Sequence, residues 1–68
     1  MKIILWEYKT LELVNGVSTT AVMNMLNEQG SIGWELVSVR DRQWKQADGS
    51  QKSRTIFILK RPCGQGTV

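Results

Sequence analysis

Sixty-eight residues leave room for one small domain, and a single cysteine, Cys63, with no histidine excludes both an internal disulfide and a zinc set. A domain of this size buries only about 60% of its unfolded surface, so self-association is the expected source of additional stability. The net charge of +3 belongs to one segment: between Arg40 and Arg54, the cations Arg40, Arg42, Lys45, Lys52 and Arg54 stand against Asp41 and Asp48, and the remainder of the chain is neutral.

Ile3 to Val14 reads as a strand, because branched and aromatic residues (Ile3, Ile4, Trp6, Tyr8, Val14) are interleaved with Glu7, Lys9 and Glu12. Its opening apolar run is too short for a secretory signal. Asn15-Gly16 supplies a turn, since both tolerate positive φ. Ser18 or Thr19 then caps a helix that runs to about Gln29, with Val22, Met25 and Leu26 on one face. Gly30 is the expected stop. The helix is three turns long and needs a sheet to pack on.

A second strand is expected over Trp34 to Lys45, with Trp34 in the core, followed by a tight hairpin at Asp48-Gly49 and a third strand over Lys52 to Arg61. Pro62 should end that strand, leaving 63–68 as a flexible tail outside a single domain of residues 1–62. The fold class is α+β in the chain order β-α-β-β: a three-stranded antiparallel-type sheet with one helix on one face. A two-residue loop at Asp48-Gly49 would set Val39 against Ile58 and Arg40 against Phe57, unless a bulge shifts the register. Both faces then come out apolar and one helix covers only one of them. A homo-oligomer, at least a dimer joined through the sheet, is therefore expected.

The segments Trp6-Glu7-Tyr8-Lys9, Leu26 to Gly30, Gly33 to Val39 and Phe57 to Pro62 occur in an order that resembles the short bacterial and phage proteins of domain-of-unknown-function family 4177. The resemblance spans Trp6 to Pro62. It implies a stand-alone small α+β protein and brings no activity and no functional residues with it.

Catalysis is poorly provided for. Histidine, the commonest general base, is absent, and Cys63 lies beyond Pro62 with no base evident beside it. The carboxylates are scattered, and no phosphate-binding glycine motif occurs. No enzyme, no cofactor and no metal are expected.

What remains is aromatic and basic. Arg40, Arg42 and Trp44 alternate and so project from one face of their strand, with Lys45, Lys52 and Arg54 near the same hairpin end. Arginine forks grip phosphates and a tryptophan ring stacks on a base. Trp6 and Tyr8 share a face and join the candidate ligand set. The expectation is a non-catalytic binding protein that holds an anionic, nucleotide-type ligand, a nucleotide second messenger among them. Its concrete form is a phage sponge for a cyclic-nucleotide immune signal. The alternatives are an adaptor for another protein or a weak single-stranded nucleic-acid binder. No membrane partner is expected, and the place of action would be the cytoplasm, the host's if the chain is phage-encoded.

Overall fold

The computed structural model describes residues 2–14, 16 and 18–67. Its elements are strand β1 (Lys2–Val14), helix α1 (Thr19–Ser31), strand β2 (Glu35–Lys45) and strand β3 (Gln51–Thr67). β3 lies between β1 and β2 and runs antiparallel to both, so the sheet order is β1-β3-β2. β1 and β2 thus point the same way, and α1 is the crossover between them, with β3 inserted in the gap. This is the expected α+β class, with the last strand in the centre.

The helix begins where Ser18 Oγ accepts a bond from the Ala21 amide at 3.2 Å. Its half-buried positions are Val22, Met25, Leu26 and Gln29, the stripe that the sequence spacing calls for. It does not stop at Gly30. The Trp34 amide donates to the Gln29 carbonyl at 3.0 Å and the Gly33 amide to the Gly30 carbonyl at 3.1 Å. This pair of bonds needs a left-handed residue at Gly33, which has φ +94°. Gly33 is therefore the terminating glycine, and Gly30 belongs to the helix. Of the Asn15-Gly16 turn, Gly16 takes φ +67° as expected, and Asn15 lies outside the described residues.

The hairpin also departs from its expected form. The Gly49 amide donates to the Gln46 carbonyl at 3.0 Å and the Gln46 amide to the Ser50 carbonyl at 2.8 Å, with Gly49 at φ +89°. The loop is therefore Ala47-Asp48-Gly49, a turn closed by a left-handed glycine. One extra loop residue moves the register by one: Val39 faces Phe57, Arg40 faces Ile56 and Arg42 faces Arg54, with a further shift between Leu36 and Ser38. Val39 therefore shares a face with Phe57 and not with Ile56 and Ile58.

Pro62 does not end β3. The strand continues to Thr67, with residues 64–67 paired to Leu5, Ile4, Ile3 and Lys2, so the expected loose tail at 63–67 is ladder. The proline is tolerated because β2 reaches no further than Lys60, leaving β3 one neighbour there, and the register slips beside it between Leu5 and Trp6. No helix among the described residues is long and apolar enough to cross a membrane.

Among the described residues only Phe57 and Leu59 are buried, at 4% and 1% exposure, and both sit on the central strand. Phe57 lies between Leu11 and Val39, and Leu59 between Lys9 and Leu36. On this face Lys9 Nζ bonds Gln29 Oε1, Arg61 Nη1 donates to the Ile32 carbonyl at 3.2 Å, and Arg61 Nε pairs with Glu7. Those bonds place the end of α1 over the sheet. Trp34 is half-buried there and is not enclosed by apolar side chains as expected, since Lys9 and Arg61 lie over its ring at 4.4 and 4.5 Å from the centroid. The extents are 56 × 25 × 11 Å and the radius of gyration is 16.1 Å, against about 11 Å for a compact domain of this length.

Candidate functional site

Strand alternation and the two registers sort the side chains between the faces. The face away from α1 carries Lys2, Ile4, Trp6, Tyr8, Thr10, Glu12 and Val14 from β1, Glu35, Ser38, Arg40, Arg42 and Trp44 from β2, and Lys52, Arg54, Ile56, Ile58, Lys60 and Pro62 from β3. Two contacts across strands agree with that sorting: Arg54 with Glu12, and Lys60 over the Trp6 ring at 4.3 Å. Six cations (Lys2, Arg40, Arg42, Lys52, Arg54 and Lys60) and two carboxylates (Glu12 and Glu35) leave this face at +4, against +3 for the whole chain.

At the hairpin end, Arg42, Trp44 and Arg54 line an open depression of about 320 Å³. The register causes this convergence. Arg42 is directly opposite Arg54, and Trp44, opposite Lys52, lies one diagonal step away. Two like charges directly opposite each other across neighbouring strands repel unless something anionic lies near them. Glu12 supplies part of that, since its Oε2 is 3.5 Å from Arg54 Nε. The distance is within ion-pair range, yet the geometry is not that of a hydrogen bond, and Arg54 Nε is buried without a hydrogen-bond partner. The Trp44 ring lies 5.8 Å from the Arg54 guanidinium carbon. Trp44 thus presents an aromatic wall to a pair of arginine forks, a set that can hold a phosphate and stack a planar ring.

The turn beyond is ordered by Asp48, whose Oδ1 accepts the Ser50 hydroxyl at 2.7 Å and the Ser50 amide at 2.9 Å. These bonds hold the Asp48 carboxyl below its ordinary value, the Ser50 hydroxyl contributing most. They fix the loop that sets the register, and through it the opposition of Arg42 and Arg54.

Of the eight residues expected to form a site, the structure brings five to this end of one face: Arg40, Arg42, Trp44, Lys52 and Arg54. Lys45 pairs with Gln51 and falls on the helix side. Trp6 and Tyr8 are on the right face at the wrong end. Tyr8 pairs with Lys60 and Trp44 with Lys52, and eight residues of strand separate those rungs by about 26 Å. Within one protomer they form no common site with Trp44. Glu12 is the residue that sequence reasoning missed. Its spacing in β1 offered no signal, because its place beside Arg54 depends on a pairing with a residue 42 positions further along the chain (54 − 12). Among the described residues no group of three metal-ligating side chains occurs.

The family model described as a domain of unknown function, DUF4177, matches residues 6–62, and the chain belongs to that family. No curated protein and no solved structure matches it.

Proposed function

We propose that this member of a family without an assigned activity is a non-catalytic, self-assembling binding protein that holds an anionic, nucleotide-type ligand at the hairpin end of its helix-free face. The observation that carries the reading is the convergence of Arg42, Arg54 and Trp44 on one depression, where Arg54 Nε is buried and lacks a hydrogen-bond acceptor. In this reading the guanidinium groups take the phosphate and Trp44 stacks on the base, with Arg40 and Lys52 adding long-range attraction. A depression this open holds its ligand against the surface and does not enclose it, and self-assembly is proposed on separate grounds, the apolar surface that one helix leaves uncovered. With no histidine in the chain, the ligand is held and not cleaved. The specific form is a sponge that removes a cyclic-nucleotide immune signal from solution.

The experiment is a thermal-shift screen against cyclic di- and oligonucleotides, mononucleotides and short single-stranded DNA. A ligand present at a hundred times its Kd adds about 2.7 kcal/mol to the folded state. One nucleotide class should raise the midpoint, Arg42→Ala and Trp44→Ala should each abolish the rise, and the ligand should be recovered chemically intact after heating. Absence of a shift with every compound overturns the reading and leaves the face to a protein partner. Recovery of cleaved ligand overturns its non-catalytic part.

A further inference from the structure

The sheet has two edges, and they differ. The β2 edge is broken by the register shift between Leu36 and Ser38 and carries Arg40, Asp41, Arg42 and Lys45, the devices by which proteins discourage pairing. The β1 edge has no proline within its 13 residues, and the register shift between Leu5 and Trp6 places its extra residue, Cys63, in β3 and leaves β1 itself regular. Among the described residues, six of the eleven large apolar side chains left exposed belong to β1: Ile3, Ile4, Leu5, Trp6, Tyr8 and Val14. A long apolar edge of this kind is a template for another strand. The surface area says how much is missing. The chain exposes 5236 Å², whereas a folded monomer of its mass exposes about 4300 Å². The excess of about 900 Å² compares with about 800 Å² per partner in a standard interface.

We infer that β1 pairs antiparallel with β1 of a second copy about a two-fold axis at Tyr8, joining two sheets into one of six strands. The register is set by charge. Lys2–Val14 overlaps itself completely only when residues whose numbers sum to 16 face each other. Leu5 then faces the partner's Leu11, Ile3 faces the partner's Leu13, and Glu7 faces the partner's Lys9, twice over by symmetry. A slip of two residues one way sets Glu7 against the partner's Glu7, and the other way Lys9 against the partner's Lys9. Like charges directly opposite are unfavourable, so both slips are disfavoured. Slips of one residue put the two copies' helices on opposite faces and separate Leu5 from Leu11. The full register also adds the partner's Lys9 to the Glu7–Arg61 pair. Pairing face to face would instead set +4 against +4. The edge pairing does not rest on the nucleotide, and a chain that binds none would still assemble in this way.

The test uses the whole chain with Cys63→Ser. Tyr8→Cys places a thiol on the axis, where opposed Cα atoms lie about 4.5–5.5 Å apart, within the reach of a disulfide. Tyr8 is 63% exposed, so the change leaves the protomer's own packing alone. Glu12→Cys is the control, because its two copies would be about 26 Å apart. The expected result is a dimer, or a multiple of dimers, in light scattering at micromolar concentration, with near-complete cross-linking of Tyr8→Cys and none of Glu12→Cys. A monomeric mass overturns the inference and frees the edge for a different protein. An oligomer in which Tyr8→Cys does not cross-link, or in which both variants do so equally, overturns the register.

Discussion

Dilution should melt this protein. If folding of the protomer is coupled to pairing, unfolding releases two chains of 68 residues, and each tenfold dilution costs the paired state about 1.4 kcal/mol. Unfolding entropy near 60 °C is about 2.1 cal/mol/K per residue, or about 0.29 kcal/mol/K for both chains. The midpoint should therefore fall by about 5 °C per decade, and by about 15 °C between roughly 1 mM and 1 µM. The structural basis is the thinness of what a lone protomer buries, two of the described side chains in a molecule 56 Å long. Intrinsic fluorescence is a suitable assay, because Trp34 leaves the sandwich of Lys9 and Arg61 on unfolding, and calorimetry covers the concentrated end. A midpoint that stays constant over that range would show that the protomer folds alone, and the argument from excess surface would fail.

Three further outcomes follow from single residues. Gly33→Ala puts a Cβ at φ +94° with open space around it, so the penalty is conformational alone; a loss of about 1–2 kcal/mol is expected in urea midpoints, and Gly30→Ala should be neutral or stabilising by comparison. Lys45→Ala should leave nucleotide affinity within about twofold while Arg54→Ala lowers it at least about tenfold, the latter reflecting a charge-assisted bond worth roughly 1.5–3 kcal/mol; calorimetric titration distinguishes them, and equal losses would mean that bulk charge and not the depression binds. The Asp48 carboxyl has its folded value lowered by Ser50, so its contribution to the turn is present at neutral pH and lost as pH falls through that lowered value; the protection of the Gly49 and Ser50 amides, taken as exchange relative to the intrinsic rate at each pH, should fall on acidification in the parent chain, and Asp48→Asn should abolish that change in protection.

The elements were legible because each carries its own local signal: alternation in β1, the cap at Ser18, the glycine at the hairpin. What local signals cannot supply is the choice between equivalent devices. Gly30 and Gly33 are both able to end a helix, and the decision came from where Trp34 must go to lie over Lys9 and Arg61. Asp48-Gly49 announces a turn in a two-residue and a three-residue loop alike, yet the loops differ by one in register and so decide whether Arg40 stands beside Phe57 or Ile56. Pro62 reads as a terminator unless one knows that β2 has already ended. The separation of Trp6 and Tyr8 from Trp44 was out of reach for a related reason. It follows from the direction of β1 against β3, and nothing near residue 8 in the chain encodes that direction.

The same topology makes the two proposed contacts separable. β3 is held on one side by β2, where the depression lies, and on the other by β1, whose far edge takes the second copy. A ligand between Arg42 and Arg54 bridges β2 to β3 and relieves the repulsion of two opposed guanidinium groups, and it touches nothing that β1 presents outward. Energetic effects at sites without shared partners add to within about 0.3–0.5 kcal/mol, so the ligand-induced rise in midpoint should be the same at every protein concentration at fixed ligand excess. Glu12 is the one residue that reaches both, through Arg54 on one side and its place on the β1 edge on the other. Glu12→Gln should therefore be the substitution that breaks additivity. It leaves Arg54 without its carboxylate and so tightens an anion, and it also removes the charge that would lie opposite the partner's Ile4. Simultaneous gain in ligand affinity and in pairing from that single change is what a sheet with its ligand on one flank and its twin on the other requires, and a change in neither would separate Arg54 from Glu12 and refute the arrangement.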